Sequence, residues 1–338
     1  MRIVDLAIER EADALTIGGD LYESERAGPE TARFLFDEFA RYGKPVFVAP
    51  GNHDPHAPNA LLARSDLPEN VRIFNEAAWL AYPLAEHVTL YGFGHTPAEP
   101  GRPFAGVRFD RPGARIALVH GSDEARCPPK KRATAPFSED EVAASGATLL
   151  LSGHYHGGYV ARRDGRPLIA YPGSPEPVKF GEATTHGALV VEVRSSAERF
   201  AIDIEAVPIA RTRLLERRCD LAGAGTEREV EAALAAAVRG AGPSDYLRVT
   251  LEGAVAAHTR VDRAALTERF ERGLGSLEVV DRSTPYDYAA IAREPTVRGH
   301  VVRDLLARRE AASGDDARRA DAALRFALAA FDGAEPAP

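Results

Sequence analysis

Residues 148–156 read TLLLSGHYH. The apolar run is long enough for one strand and too short for a helix, and it ends in a glycine and two histidines one residue apart. Three other runs close in the same way. ALTIG (14–18) is followed by Gly19-Asp20, PVFVAP (45–50) by Gly51-Asn52-His53-Asp54, and RIALV (115–119) by His120-Gly121. Each run is apolar enough to be buried on both faces of a parallel sheet. Each sets a carboxylate, an amide or an imidazole just past its C-terminal end, where open α/β sheets bind ligands. The adjoining glycines let the backbone turn sharply and approach closely. In an extended segment, residues two apart point the same way, so His154 and His156 are expected to share one site.

Composition sets the frame for these motifs. The chain has 338 residues, 45% hydrophobic and 27% charged, which is ordinary for a soluble globular protein with two or three domains. No apolar run approaches the roughly 18–20 residues of a membrane span. Charged residues interrupt the N-terminus from Arg2 to Asp13, unlike a signal peptide. A cytoplasmic protein with no membrane partner is expected. Cys127 and Cys219 fit neither a disulfide framework nor a zinc knuckle. The net charge of −8 argues against a broad nucleic-acid-coating surface, although bound cations can supply local positive charge. The basic stretch at Lys130, Lys131 and Arg132 reads as a solvated loop.

Strand and helix patterns alternate up to about residue 207, which predicts an α/β layered domain. Ile3, Val4, Ala7 and Ile8 recur at helical spacing. Glu30 to Tyr42 is a second helix, its apolar face assigned to Phe34, Leu35 and Phe39, with Gly43 and Pro45 ending it. PLIAYPG, GALVVEV and FAIDIEAV read as antiparallel strands. Near Pro208 the texture changes. Residues 208–283 read as a small α+β domain and residues 284–338 as a helical region whose tail GAEPAP is frayed.

One carboxylate, one amide oxygen and three imidazoles form a hard-to-borderline donor set. It suits Mn²⁺, Fe²⁺ or Zn²⁺ rather than Cu⁺ or an all-thiolate site. Two such cations bridged by a carboxylate make a clamp for in-line displacement at phosphorus.

Taken in order, GD, GNHD, HG and GHxH resemble the successive signatures of the calcineurin-like metallophosphoesterase superfamily. YGFGHTP (91–97), HGS (120–122) and AYPGSPEPVKFGE (170–182) resemble, more narrowly, its DNA repair exonuclease branch related to Mre11 and SbcD. STPYDYAAIAREPTVRGHVVRDLL (283–306) resembles the capping and C-terminal regions of bacterial members, so the likeness covers nearly the whole chain. The resemblance implies a two-sheet sandwich flanked by helices (αββα) over residues 1–207, then an α+β cap over 208–283 and the helical region 284–338. It implies a metal-dependent DNA exonuclease or phosphodiesterase with two divalent ions, Mn²⁺ first and Fe²⁺, Zn²⁺ or Mg²⁺ as alternatives, and a metal-held hydroxide as nucleophile. Asp20 would bridge the metals. Asn52, His120 and His154 would complete one shell, and His156 would bind the other ion. His53 would act in catalysis, on the transition state or the leaving 3′ oxygen. Asp54 would orient His53, with loop capping as its competing role. The partners implied are DNA, an SbcC/Rad50-like ATPase and a second copy of the chain.

The family pattern begins with a strand ending in Asp-x-His, and this sequence lacks both residues. One metal site is therefore incomplete. The expectation is a misassigned start, with the strand encoded upstream; the alternative is a truncation that leaves one metal or none. Two further functional readings stay open. One is a metallophosphoesterase acting on a small molecule or phosphoprotein. The other is a non-catalytic subunit that binds DNA or an ATPase.

Other residues read more simply. His95 and His56 are candidates for the cleft against structural roles. His87, His186, His258 and His300 are expected in core or surface roles. Ser174 is taken into a Pro/Gly hairpin, and Ser122 lacks a nucleophile elbow. Arg162 and Arg163 read as a solvated hairpin tip rather than a DNA contact.

Overall fold

The computed structural model describes residues 1–98, 100–129, 132–182, 185–256 and 259–333. Lys130, Lys131, His258 and the tail beyond Gly333 lie outside the described residues. The chain divides into two compact units, Met1–Arg211 and Thr212–Pro338. Among the described residues no helix is long and apolar enough to cross a membrane.

The first unit runs α1 (Arg2–Glu9), β1 (Leu15–Ile17), α2 (Pro29–Tyr42), β2 (Val46–Val48), β3 (Val71–Ile73), β4 (Leu80–Ala85), β5 (Val88–Phe93), β6 (Ala114–His120), α3 (Glu139–Ala144), β7 (Leu149–Gly153), β8 (Tyr159–Arg163), β9 (Arg166–Tyr171), β10 (Gly187–Ser195) and β11 (Phe200–Pro208). A parallel sheet β1-β2-β3 faces a six-stranded mixed sheet β4-β5-β6-β7-β9-β8, and β10-β11 form an antiparallel ribbon.

Strand periodicity builds the layers. In β2, Val46 and Val48 pack outward against Val4, Ala7, Phe36 and Phe39 of α1 and α2. Phe47, between them, points inward and joins Leu90, Ile116, Leu118 and Leu149 from the larger sheet. The opposite faces of β6 and β7 send Ala117, Val119 and Leu150 toward Val142 of α3 and the aromatic residues Phe104, Phe109 and Phe137. The result is four layers, helix–sheet–sheet–helix, with the ribbon β10-β11 closing the inner core through Leu189, Val191, Ile202 and Ile204. This is the α/β architecture that the sequence predicts.

Some details differ from the sequence reading. The apolar face of α2 is Ala32, Phe36 and Phe39, spaced four and three apart, while Phe34 stands about half a turn away and is 49% exposed. The strand β9 runs parallel to β7 and antiparallel only to β8. The strand β1 is half-buried along its length, unlike β2, which is fully buried.

The second unit comprises β12 (Arg213–Asp220), α4 (Glu227–Val238), β13 (Asp245–Glu252), α5 (Arg263–Phe270), β14 (Ser276–Asp281), α6 (Tyr288–Ala292), α7 (Val297–Ala311) and α8 (Asp315–Phe331). Its three strands are all parallel in the order β12-β13-β14, and Leu234 of α4 and Leu266 of α5 cover them. A separate small core joins Ile291, Val302, Leu324 and Leu328 of the last three helices.

Candidate metal centre

The carboxyl ends of β1, β2, β6 and β7 converge in the first unit. Gly19 and Asp20 both take positive φ, 83° and 52°, so the chain turns tightly as it leaves β1. A Cβ on Gly19 would stand 2.5 Å from the Gly51 nitrogen, which explains the glycine at this position. The turn is held by Asp54. Its fully buried carboxylate accepts backbone N–H bonds from Asp20 (2.9 Å), Leu21 (2.8 Å) and Gly51 (2.6 Å). Burial pushes the Asp54 carboxyl above its ordinary range, and the three N–H bonds oppose that rise.

Four donors meet at the centre. The Nε2 of His120 lies 3.0 Å from Asn52 Oδ1, 3.2 Å from Asp20 Oδ2 and 3.2 Å from His154 Nδ1. The ligand atoms of Asp20, His120 and His154 all fall within 4.8 Å of one another. The other ring nitrogen of His120, Nδ1, sits 2.7 Å from the Gly18 carbonyl oxygen. A carbonyl only accepts, so Nδ1 carries the proton. In the neutral ring, the Nε2 lone pair therefore points at two oxygens, which also carry lone pairs. Acceptors crowded together in this way fit a cation between them. His154 supports that fit: burial, followed by the nearby His120, lowers its proton affinity to about 4, which leaves it neutral near pH 7. For Asp20, burial raises the carboxyl, while its contact with the His120 ring, the His53 backbone N–H bond and the nearby His53 side chain together hold the group below its usual range. The donor set thus fits a divalent cation held by Asp20, Asn52, His120 and His154.

His156 is placed differently. The backbone at His154 takes φ 108°, a strained value for a residue with a side chain, so the segment is not extended there and the alternation argument does not apply. His156 stays outside the tight group. Its Nδ1 pairs at 2.7 Å with Glu182 Oε1, though it stands near enough for its charge to act on His154. Glu182 escaped the sequence reading because nothing local marks a carboxylate 26 residues away as a partner for His156.

His53 is half-exposed beside the cluster. Its backbone N–H donates to Asp20 Oδ1 at 2.9 Å, and its ring Nδ1 meets Glu23 Oε2 at 2.9 Å. That bond with Glu23 raises the proton affinity of His53, against a smaller opposing effect of burial. The orienting role assigned to Asp54 therefore needs correcting: its oxygens serve the loop N–H groups, and Glu23 is the acid at the His53 ring. Loop capping, the competing role, describes Asp54.

The remaining candidates fall into place around this centre. His95 is 2% exposed, and its Nε2–H donates to the His120 carbonyl at 2.8 Å, so it braces the end of β6 rather than lining a cleft. Ser122 is buried and accepts from the Thr134 N–H. Ser174 Oγ lies 3.0 Å from the ring Nδ1 of the buried His186. Arg163 pairs with Asp140 and Arg162 with the Gly165 carbonyl, as a hairpin tip would.

Fold and site together define a metallophosphoesterase type of domain. Residues 1–158 match the calcineurin-like phosphoesterase family. The chain is 25% identical over 209 residues to the uncharacterized metallophosphoesterase YhaO of Bacillus subtilis, covering 56% of this chain and 48% of that protein. It thus spans about half the length of that curated relative. It is also similar to the solved structure of TT1561 of Thermus thermophilus, at 15% identity, a TM-score of 0.36, and coverage of 51% of this chain and 81% of that one.

Proposed function

We propose that this chain is a divalent-metal-dependent phosphodiesterase acting on DNA, as an exonuclease. The observation that carries the hydrolytic reading is the crowding of Asp20 Oδ2, Asn52 Oδ1 and His154 Nδ1 around His120 Nε2, a donor set suited to a cation. When bound there, the cations would polarise a phosphoryl oxygen and offset its charge. The chain's own residues supply the rest. Asp54 fixes the turn that presents Asp20. His154, its proton affinity lowered by burial, stays neutral near pH 7, and the Nδ1–H bond to Gly18 turns the Nε2 of His120 inward. His53, with its proton affinity raised by Glu23, is an exposed donor beside the site, fitted to protonate a departing oxygen.

DNA as the substrate is supported by the resemblance of YGFGHTP, HGS and AYPGSPEPVKFGE to the repair exonuclease branch. The test is hydrolysis with Mn²⁺ of linear duplex and single-stranded DNA, beside a small phosphodiester and a phosphomonoester. Release of mononucleotides from DNA ends supports the proposal. Turnover of the small esters with intact DNA would replace DNA by a small substrate. No turnover of any of them, despite bound metal, would favour a non-catalytic subunit.

A further inference from the structure

We propose that Glu182 is a positioning residue for His156, fixing the proton on Nδ1 so that Nε2 is presented as a ligand for a cation. The inference rests on the metallophosphoesterase reading above and concerns a carboxylate that this reading did not use.

Three observations carry it. First, the contact is short and the acid is shielded: Glu182 Oε1 lies 2.7 Å from His156 Nδ1, and the Glu182 side chain is only 8% exposed. A carboxylate accepts, so the shared proton sits on Nδ1 and leaves the Nε2 lone pair free. Second, Glu182 is itself fixed. Its other oxygen accepts the Val178 N–H at 2.8 Å and the Lys179 N–H at 3.4 Å. Third, the backbone of His156 is tied to the same loop, since its carbonyl accepts the Ser174 N–H at 2.9 Å. Gly173, at φ 77°, permits that approach, because a Cβ there would come within 2.6 Å of the His156 oxygen. Ring and backbone of one exposed histidine are thus held from two sides by residues 173–182. A buried second histidine backs the acid: His186 Nε2 lies 3.9 Å from Glu182 Oε2 and has no hydrogen-bond partner among the described residues. A surface histidine held only for stability needs no such arrangement. A ligating histidine does, because the partner of its second nitrogen sets tautomer and ring orientation.

The test compares the full chain with its Glu182→Ala and Glu182→Gln variants. Mn²⁺ affinity is measured by calorimetric titration, the His156 tautomer by long-range proton–nitrogen NMR of the metal-free protein, and folding by thermal unfolding without metal. The expected result is an Nδ1–H tautomer in the parent that is lost in Glu182→Ala, with Mn²⁺ binding weakened about 10- to 100-fold. Glu182→Gln keeps one oxygen for the ring but sets an amide NH₂ against the Val178 N–H, so its loss is expected to be smaller. It decides the matter if the alanine variant does not fold. Variants that keep the parent's tautomer and affinity would overturn the inference and leave the metal reading standing. A parent chain that binds no Mn²⁺ at all would remove both.

Discussion

The Nδ1–H of His120 donates to the carbonyl oxygen of Gly18 across 2.7 Å, joining the end of β6 in one sheet to the end of β1 in the other. This bond fixes which nitrogen of His120 faces the metal centre. It also requires close approach, since a Cβ on Gly18 would come within 2.6 Å of the Gly153 nitrogen. Gly18→Ala is therefore expected to push the two sheets apart at the site. A loss of about 1–3 kcal/mol in stability is expected from the overpacking. Mn²⁺ affinity should fall with it, as read by thermal unfolding and calorimetric titration.

Asp54→Ala should damage the centre although Asp54 is no ligand. It strips the acceptor from three N–H groups, each costing about 1–3 kcal/mol if left unpaired and buried. Water entering the gap would recover part of this. Asp54→Asn keeps one oxygen and is expected to lose less. Denaturant unfolding ranks the two, and Mn²⁺ titration shows whether Asp20 is still presented.

His53→Gln separates binding from chemistry. The ring is half-exposed and bonded to Glu23, so Mn²⁺ affinity and stability should stay near those of the parent. A general acid contributes about 10²- to 10⁴-fold, and turnover should fall within that range. Equal loss of metal binding and turnover would instead place His53 in the ligand set.

Acid sensitivity has a definite source in the second unit. Asp245 is 1% exposed and accepts a two-pronged bond from Arg213 at 2.5 and 2.7 Å, together with the Gly242 N–H. Arg213, acting first through that bond, holds the Asp245 carboxyl below its ordinary range, despite burial. A lowered carboxyl stabilises the fold above the unfolded-state value near 4 and loses that contribution as pH falls through the folded-state value. Asp245→Asn should flatten this acid limb in a series of thermal melts at decreasing pH. It should also cost about 1–3 kcal/mol at neutral pH, because Arg213 loses its charged partner.

The four strand ends were legible because buried parallel strands leave a strong apolar signal and the glycine-flanked polar residues after them break it sharply. Asp20, Asn52, His120 and His154 lie together at those strand ends. The strand β3 is three residues long, and β12 reads RLLERRCD, two adjacent leucines among charged residues, so neither shows an apolar run. His156 was read through strand alternation, which the positive φ at His154 breaks. Glu182 and Glu23 were invisible for a different reason. Each is an ordinary acidic loop residue, and only the folded chain brings it to a histidine ring 26 or 30 residues away.

The most direct measurement is an anomalous difference map, at the manganese edge, from crystals of the chain grown with Mn²⁺. The account predicts a peak in contact with Asp20, Asn52, His120 and His154 together. Density for the ion elsewhere, with those four side chains bonded only to one another or to water, would contradict it.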